Sequence, residues 1–178
     1  MKPPLRSILS AGLTLGLALT YCTLFAADLP KAGEKAPSIE ATDHDGKPWK
    51  LADLTGKQAV IVYFYPRDDT PGCTKEACGF RDQLSDLTKL GVTVVGVSRD
   101  DAESHRKFRE KHQLNFPLLV DTDGKVTEAY GASAPDRPRS RRVSFLIGKD
   151  GKVLHVTDSR DAQVHLDQLK AAVAALKP

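Results

Sequence analysis

The chain has 178 residues, 28% charged and 40% hydrophobic, which suits a soluble globular domain with one sizeable core and excludes collagenous, low-complexity and disordered classes. Its formal net charge is +3, and two of the positive charges, Lys2 and Arg6, lie at the very start. Setting those aside leaves 24 Lys and Arg against 23 Asp and Glu, a near-neutral balance with no footprint for nucleic acid or an anionic membrane.

Met1 to Arg6 is basic, Ser7 to Phe25 is apolar or small throughout, and Ala26-Ala27 precedes the first acid, Asp28. That order of basic start, apolar stretch and small-residue end reads as a secretory signal peptide over residues 1–27. The expectation is export, to the periplasm of a bacterium, with a mature domain spanning residues 28–178. The alternative is an uncleaved anchor facing the periplasm, since the apolar run approaches the ~20 residues a membrane span needs. Lipidation of Cys22 is a weaker option, because Tyr21 is bulky where lipoprotein signals have a small residue. Once the leader is set aside, only Cys73 and Cys78 remain of the three cysteines. An oxidising compartment lets disulfides persist, so a plain structural staple is one reading of that pair.

Two short strands are expected near Ser38–Ala41 and Trp49–Leu51, joined by the Asp45-Gly46 turn. The continuous apolar and β-branched run Ala59–Tyr65 reads as a central strand covered on both faces. After PRDDT breaks it, Phe80, Leu84, Leu87 and Leu90 recur at steps of four and three, predicting a helix to about Leu90. Gly91–Ser98 is a second buried strand, Ala102–His112 a polar helix with Phe108 inward, and Phe116–Asp121 a third strand. A short helix, Val126–Tyr130, ends at Gly131, and Ala132–Arg141 reads as an exposed, basic, Pro-containing loop. VSFLIGKDGKVLHVT is a hairpin turning at Asp150-Gly151, and Val164–Leu176 is a closing amphipathic helix. This order gives an α/β fold, a thioredoxin-like three-layer α/β/α sandwich with a mixed central sheet.

The chemistry concentrates in YFYPRDDTPGCTKEACGFRD. Thr70-Pro71 fits an N-cap followed by proline at the first helical position, which puts Cys73 third, inside the first turn. Free N–H groups and the positive end of the helix dipole favour an anion there. An isolated cysteine has a pKa of about 8.5, lowered at helix N-termini, and the thiolate is the nucleophile. Cys73 is therefore the candidate nucleophile, against a bland reading as a small buried residue. Cys78 follows five residues on, which in a continuous helix separates the two Cα atoms by roughly 8–9 Å. A disulfide needs its Cα atoms within about 7 Å, so the pair cannot bridge until the helix unwinds. That disfavours the staple and fits a redox pair.

Pro66-x-x-x-Thr70-x-x-Cys73 resembles the active-site pattern of the peroxiredoxins, and Glu76 and Cys78 extend it in the manner of the bacterioferritin-comigratory, or Q-type, branch. The similarity also covers GEKAPSIEATDHDGK and RRVSFLIGKDGK, and so nearly all of the chain after the leader. The resemblance implies an antioxidant thiol peroxidase that reduces hydrogen peroxide and organic hydroperoxides to water and alcohols. It implies that Cys73 is the peroxidatic residue and Cys78 the resolving one, forming an intrachain disulfide reopened by a thioredoxin-like donor. It further implies that Thr70 donates its hydroxyl to the thiolate and peroxide oxygen, that Arg142 is the active-site arginine, and that Pro66 shields the site. Thiolate aim and donors for the leaving oxygen are what O–O cleavage demands. No cofactor or metal is implied, and a monomer is expected. Gly148, where an acid commonly begins the hairpin, and the Arg- and Pro-rich loop depart from the family, as does export.

His44, His105, His112, His155 and His165 form no HxH or HxxxH pair and read as surface or helix-face residues. Two rivals share the fold. An exported copper chaperone would pair thiolates, which suit Cu(I), with a histidine, but uses a three-residue cysteine gap where this chain has four. A thiol-disulfide oxidoreductase would place CxxC at the helix start, usually after a tryptophan, whereas Trp49 lies far upstream.

Overall fold

The computed structural model describes residues 28–134 and 138–176. The leader read in residues 1–27 and the tip of the basic loop, 135–137, lie outside the described residues.

Strand β3 (Ala59–Phe64) is buried at every position. Its side chains alternate between two cores: Ala59, Ile61 and Tyr63 on one face, Val60, Val62 and Phe64 on the other. This explains the uninterrupted apolar run, since a strand with helices or loops over both faces has no side left for water. Strand β4 (Val92–Ser98) pairs with it in parallel, β5 (Leu118–Val120) continues in parallel, and β6 (Val143–Ile147) joins the other edge antiparallel. The outer strands β1 (Glu40–Asp43), β2 (Pro48–Lys50) and β7 (Val153–Asp158) complete a seven-stranded mixed sheet in the order β2-β1-β5-β4-β3-β6-β7.

Helices α1 (Pro71–Lys89) and α4 (Ala162–Ala174), with Phe108 of α2 (Ala102–His112), cover one face. The other is covered by α3 (Lys125–Ala129) together with Ile39 and Leu51. The expected α/β/α layering is present. Helices α1 and α4 cross closely at Gly79, where a Cβ would stand 2.3 Å from Leu166 Cδ1.

Differences from the expected elements fall at edges. The first strand begins at Glu40 rather than Ser38, and Leu51 opens a single 3-10 turn rather than ending a strand. Leu90, expected on the inner face of α1, caps the helix and is 60% exposed. Helix α4 starts two residues earlier than expected, because Asp161 caps it by accepting from the Gln163 N–H. The loop read as exposed is tied down at both ends: Ala132 and Ser140 are buried, and Ser133 bridges Ser140.

Candidate active site

Helix α1 begins as its sequence demands. Thr70 occupies the N-cap in an extended conformation, Pro71 takes the first position, and Cys73 the third. The first helical bond, from the Thr74 N–H to the Thr70 carbonyl at 2.8 Å, leaves the Gly72 and Cys73 N–H groups ahead of the ladder. Cys73 is 1% exposed. Cys78 is half-buried on the same unbroken helix, and both thiols are free. The geometry thus excludes a staple in this state.

Strand alternation delivers the partner. Leu146 and Ser144 of β6 face α1 and α4, and Arg142, just before the strand, follows that parity. Its Nη2 donates to Cys73 Sγ at 3.3 Å, and Nη1 donates to Glu76 Oε2. Arg141, of opposite parity, pairs with Asp158 instead. Gly72 makes the approach possible, since a Cβ there would lie 3.0 Å from Arg142 Nη2.

Glu76 is fully buried on α1, one turn past Cys73. Burial pushes its carboxyl up to about 7, while Arg142 pulls the other way. Tyr63, also buried and without a hydrogen-bond partner for its hydroxyl, is pushed well up by burial and stays neutral.

The Thr70 hydroxyl, expected on the thiolate, instead donates to the Arg67 carbonyl at 3.1 Å. Pro66 is half-buried where β3 leads into the loop.

That loop is held by a network the sequence reading missed. Asp68 is buried and accepts from the Tyr65 hydroxyl at 2.7 Å and the Ser104 hydroxyl at 2.7 Å. His105 Nδ1 lies 2.8 Å from its Oδ2, and Nε2 lies 3.1 Å from the Leu119 carbonyl, which can only accept. Nε2 faces a group that can only accept, and so donates to it. Asp69 adopts a left-handed φ of 54°, fixed by Lys111 at 2.6 Å and His112 at 2.8 Å. Helix α2 thus clamps the segment that aims α1.

The reading of the histidines as surface or helix-face residues needs correction. His105 and His165 are fully buried, and His44 is nearly so. His105 and His165 lie in apolar stripes, His105 three residues before Phe108 and His165 three after Ala162 and four before Leu169, a periodicity that could have revealed them. Among the described residues, the one cluster of grouped candidate metal ligands is Asp43, His44 and Asp45, and neither cysteine belongs to it.

The model of the AhpC/TSA family matches residues 32–156. The chain belongs to that family. Within it, the chain is 44% identical over 143 residues to peroxiredoxin Bcp of Escherichia coli, covering 77% of this chain and 91% of that protein. The crystal structure of peroxidoxin BcpB from Mycobacterium tuberculosis superposes with a TM-score of 0.79 at 33% identity, covering 84% of this chain and 99% of that one. The bacterioferritin comigratory protein of Xanthomonas campestris, studied for its alkyl peroxide reduction, gives 0.74 at 28% identity, with 82% and 98% covered. The chain is therefore a peroxiredoxin of the Bcp/Q-type branch with the thioredoxin-like fold, and an enzyme of the peroxidase class.

Proposed function

We propose that Cys73 attacks hydrogen peroxide and organic hydroperoxides, and that Cys78 resolves the oxidised product within the same chain. The observation that carries this reading is the 3.3 Å contact from Arg142 to a buried sulfur in the first turn of α1. A cation there stabilises the thiolate and, once peroxide binds, the charge developing on the leaving oxygen. Alkyl peroxide reduction by the Xanthomonas relative supports the wider substrate class.

The chemistry balances in two steps. The Cys73 thiolate displaces alkoxide or hydroxide from the peroxide, and one proton converts that leaving group to alcohol or water. The sulfenic acid left on Cys73 then condenses with the Cys78 thiol, releasing water and forming a disulfide. Because α1 is continuous through both residues, its first two turns must uncoil for that bond to form. A dithiol donor of the thioredoxin type reopens the disulfide. In this cycle Thr70 turns its hydroxyl from the Arg67 carbonyl towards the peroxide, and Pro66 keeps water from the thiolate. A single chain holds both thiols, so a monomer suffices.

The leader-like residues 1–27 support a place of work outside the cytosol, in a periplasm, as antioxidant defence. Fusing those residues to a reporter active only after export tests this directly.

For the chemistry, the mature protein with excess dithiol should consume hydroperoxide over many turnovers. Cys73→Ser should abolish consumption, whereas Cys78→Ser should complete one round and leave a trappable sulfenic acid. Full turnover by Cys73→Ser refutes the assignment.

A further inference from the structure

Below Arg142, a buried carboxylate oxygen has been left without a partner. Glu76 Oε1 makes no hydrogen bond, although His165 Nδ1 of α4 lies 3.5 Å away and both residues are fully buried. An orphaned acceptor in a dry site is costly and calls for an explanation.

The histidine's other contacts restrict where protons can be. Nε2 lies 2.9 Å from the Ser159 carbonyl, so it carries a hydrogen. Nδ1 lies 2.7 Å from the Ser144 hydroxyl, which can donate or accept. With a neutral imidazole and an ionised Glu76, the Nδ1 lone pair faces a carboxylate oxygen, acceptor against acceptor. One further proton removes the conflict, whether it rests on Oε1 or on Nδ1, and the Ser144 hydroxyl turns to suit.

We propose that Glu76 and His165 jointly hold one proton beneath Arg142 in the reduced enzyme, and that this proton keeps the guanidinium charge available to Cys73. His165 is thus a positioning residue, acting through Glu76 and Arg142. The proposal rests on the peroxidase reading and adds to it a control on the reactive charge.

The sign follows from counting charges. With its shared proton the pair is neutral overall, and Arg142 presents its full positive charge to the sulfur. Without it the pair is an anion that offsets Arg142. Thiolate and shared proton therefore stabilise each other, reciprocally. When peroxide converts the thiolate to a neutral sulfenic acid, the pair releases its proton more readily, at the step where the leaving oxygen requires one. The balance is thiolate plus hydroperoxide plus protonated pair, giving sulfenic acid, alcohol or water, and the deprotonated pair.

Other ionisable groups around the pair do not supply this proton. Tyr63 of β3 is held neutral by burial. Asp158 at the end of β7 and Asp161 at the start of α4 pull the His165 pKa up, while burial, the larger effect, and Arg142 push it down. With the imidazole depressed and Glu76 raised to about 7, the proton resides mainly on the carboxyl side.

The test uses the Cys78→Ser protein, which stops after one round, and follows single-turnover peroxide loss against pH. His165→Val removes the proton's acceptor, so Glu76 ionises at lower pH; a shift of about half a pH unit lowers the rate just below neutrality by somewhat under twofold and, above neutrality, by on the order of threefold. In a Glu76→Gln background the same substitution should change nothing. A merely structural histidine would slow both backgrounds alike, and that result, or no slowing in either, overturns the proposal. Infrared spectroscopy gives a check needing no His165 variant: the Cys78→Ser protein should show a protonated carboxyl stretch that titrates near neutral pH and is missing from Glu76→Gln. Lack of that band also overturns it. If the Cys78→Ser protein consumes no peroxide at all, the peroxidase reading itself fails first.

Discussion

Replacing Glu76 with Gln isolates the energetic consequence of burying a carboxyl beneath the active site. The ordinary value for this group is 4.5, and burial raises it to about 7 in the fold. Between those two values the folded state binds more protons than the unfolded chain, so stability falls as pH rises. The contribution is fully present below the unfolded value of 4.5 and is lost as pH passes through the folded value of about 7. A gap of roughly 2.5 units at about 1.4 kcal/mol each amounts to ~3 kcal/mol. Glutamine keeps the shape, offers its carbonyl to Arg142 and its amide to His165 Nδ1, and cannot ionise. Urea unfolding of both proteins under reductant, from about pH 5 to about pH 8, measures the difference. The stability of the parent relative to Glu76→Gln should decline by about 2.5 kcal/mol across that window and then level off. Parallel curves would refute the reasoning, since they would mean that Glu76 titrates alike in the folded and unfolded chain.

Two further substitutions test the scaffold. Gly79→Ala places a methyl group 2.3 Å from Leu166 Cδ1, so Leu166 or α4 itself must shift, and thermal melting should show a loss of about 1–3 kcal/mol. An unchanged melting temperature would mean that α4 yields without cost. Asp68→Ala strips the acceptor from Tyr65, Ser104 and His105 at once in a buried site, and should destabilise by about 3 kcal/mol or more. A loss below about 1 kcal/mol would show that the network does not clamp the loop.

The strands and helices were legible wherever burial imposes a period. Ala59–Phe64 could not be missed, because both of its faces are dry. The strand beginning at Glu40, second from one edge of the sheet, is displaced by two residues from its expected place because its side chains alternate only between exposed and half-buried, leaving little apolar contrast to set a register. Cys73 could be placed from local signals alone, since cap, proline and thiol are neighbours. Arg142 could not: it lies 69 residues along the chain from the sulfur it touches, and only the family resemblance singled it out. The Asp68–His105 and Glu76–His165 contacts lay beyond both routes. They join residues brought together by the sheet, and a polar side chain within an apolar stripe was read as facing outward when it turned inward to meet another polar group.

These contacts also bear on how the proposed cycle divides the structure into a fixed part and a moving part. The segment Arg67–Thr70 is tied to β4 and α2 through Asp68, whose N–H donates to Asp100 at 2.9 Å and whose carboxylate meets three further partners. Downstream, α1 is anchored by Phe80 and Leu87 in the core. Between these anchors the first turn is lightly held: Thr70 makes no side-chain cap bond, a contact typically worth about 1 kcal/mol, and Pro71 and Gly72 are exposed. What holds Cys73 inward is chiefly its own burial and Arg142. In the proposed cycle, oxidation to a neutral sulfenic acid would remove the charge that Arg142 answers, and so would weaken the tie at the point where the helix has to open. Uncoiling confined to residues 71–78 would release Cys73, Glu76 and Ala77 from their burial and bring the sulfurs together while Phe80 and Leu87 keep the rest of α1 on the core, and reduction would restore the anion that draws the helix start closed. Activation and release would then be two settings of one contact.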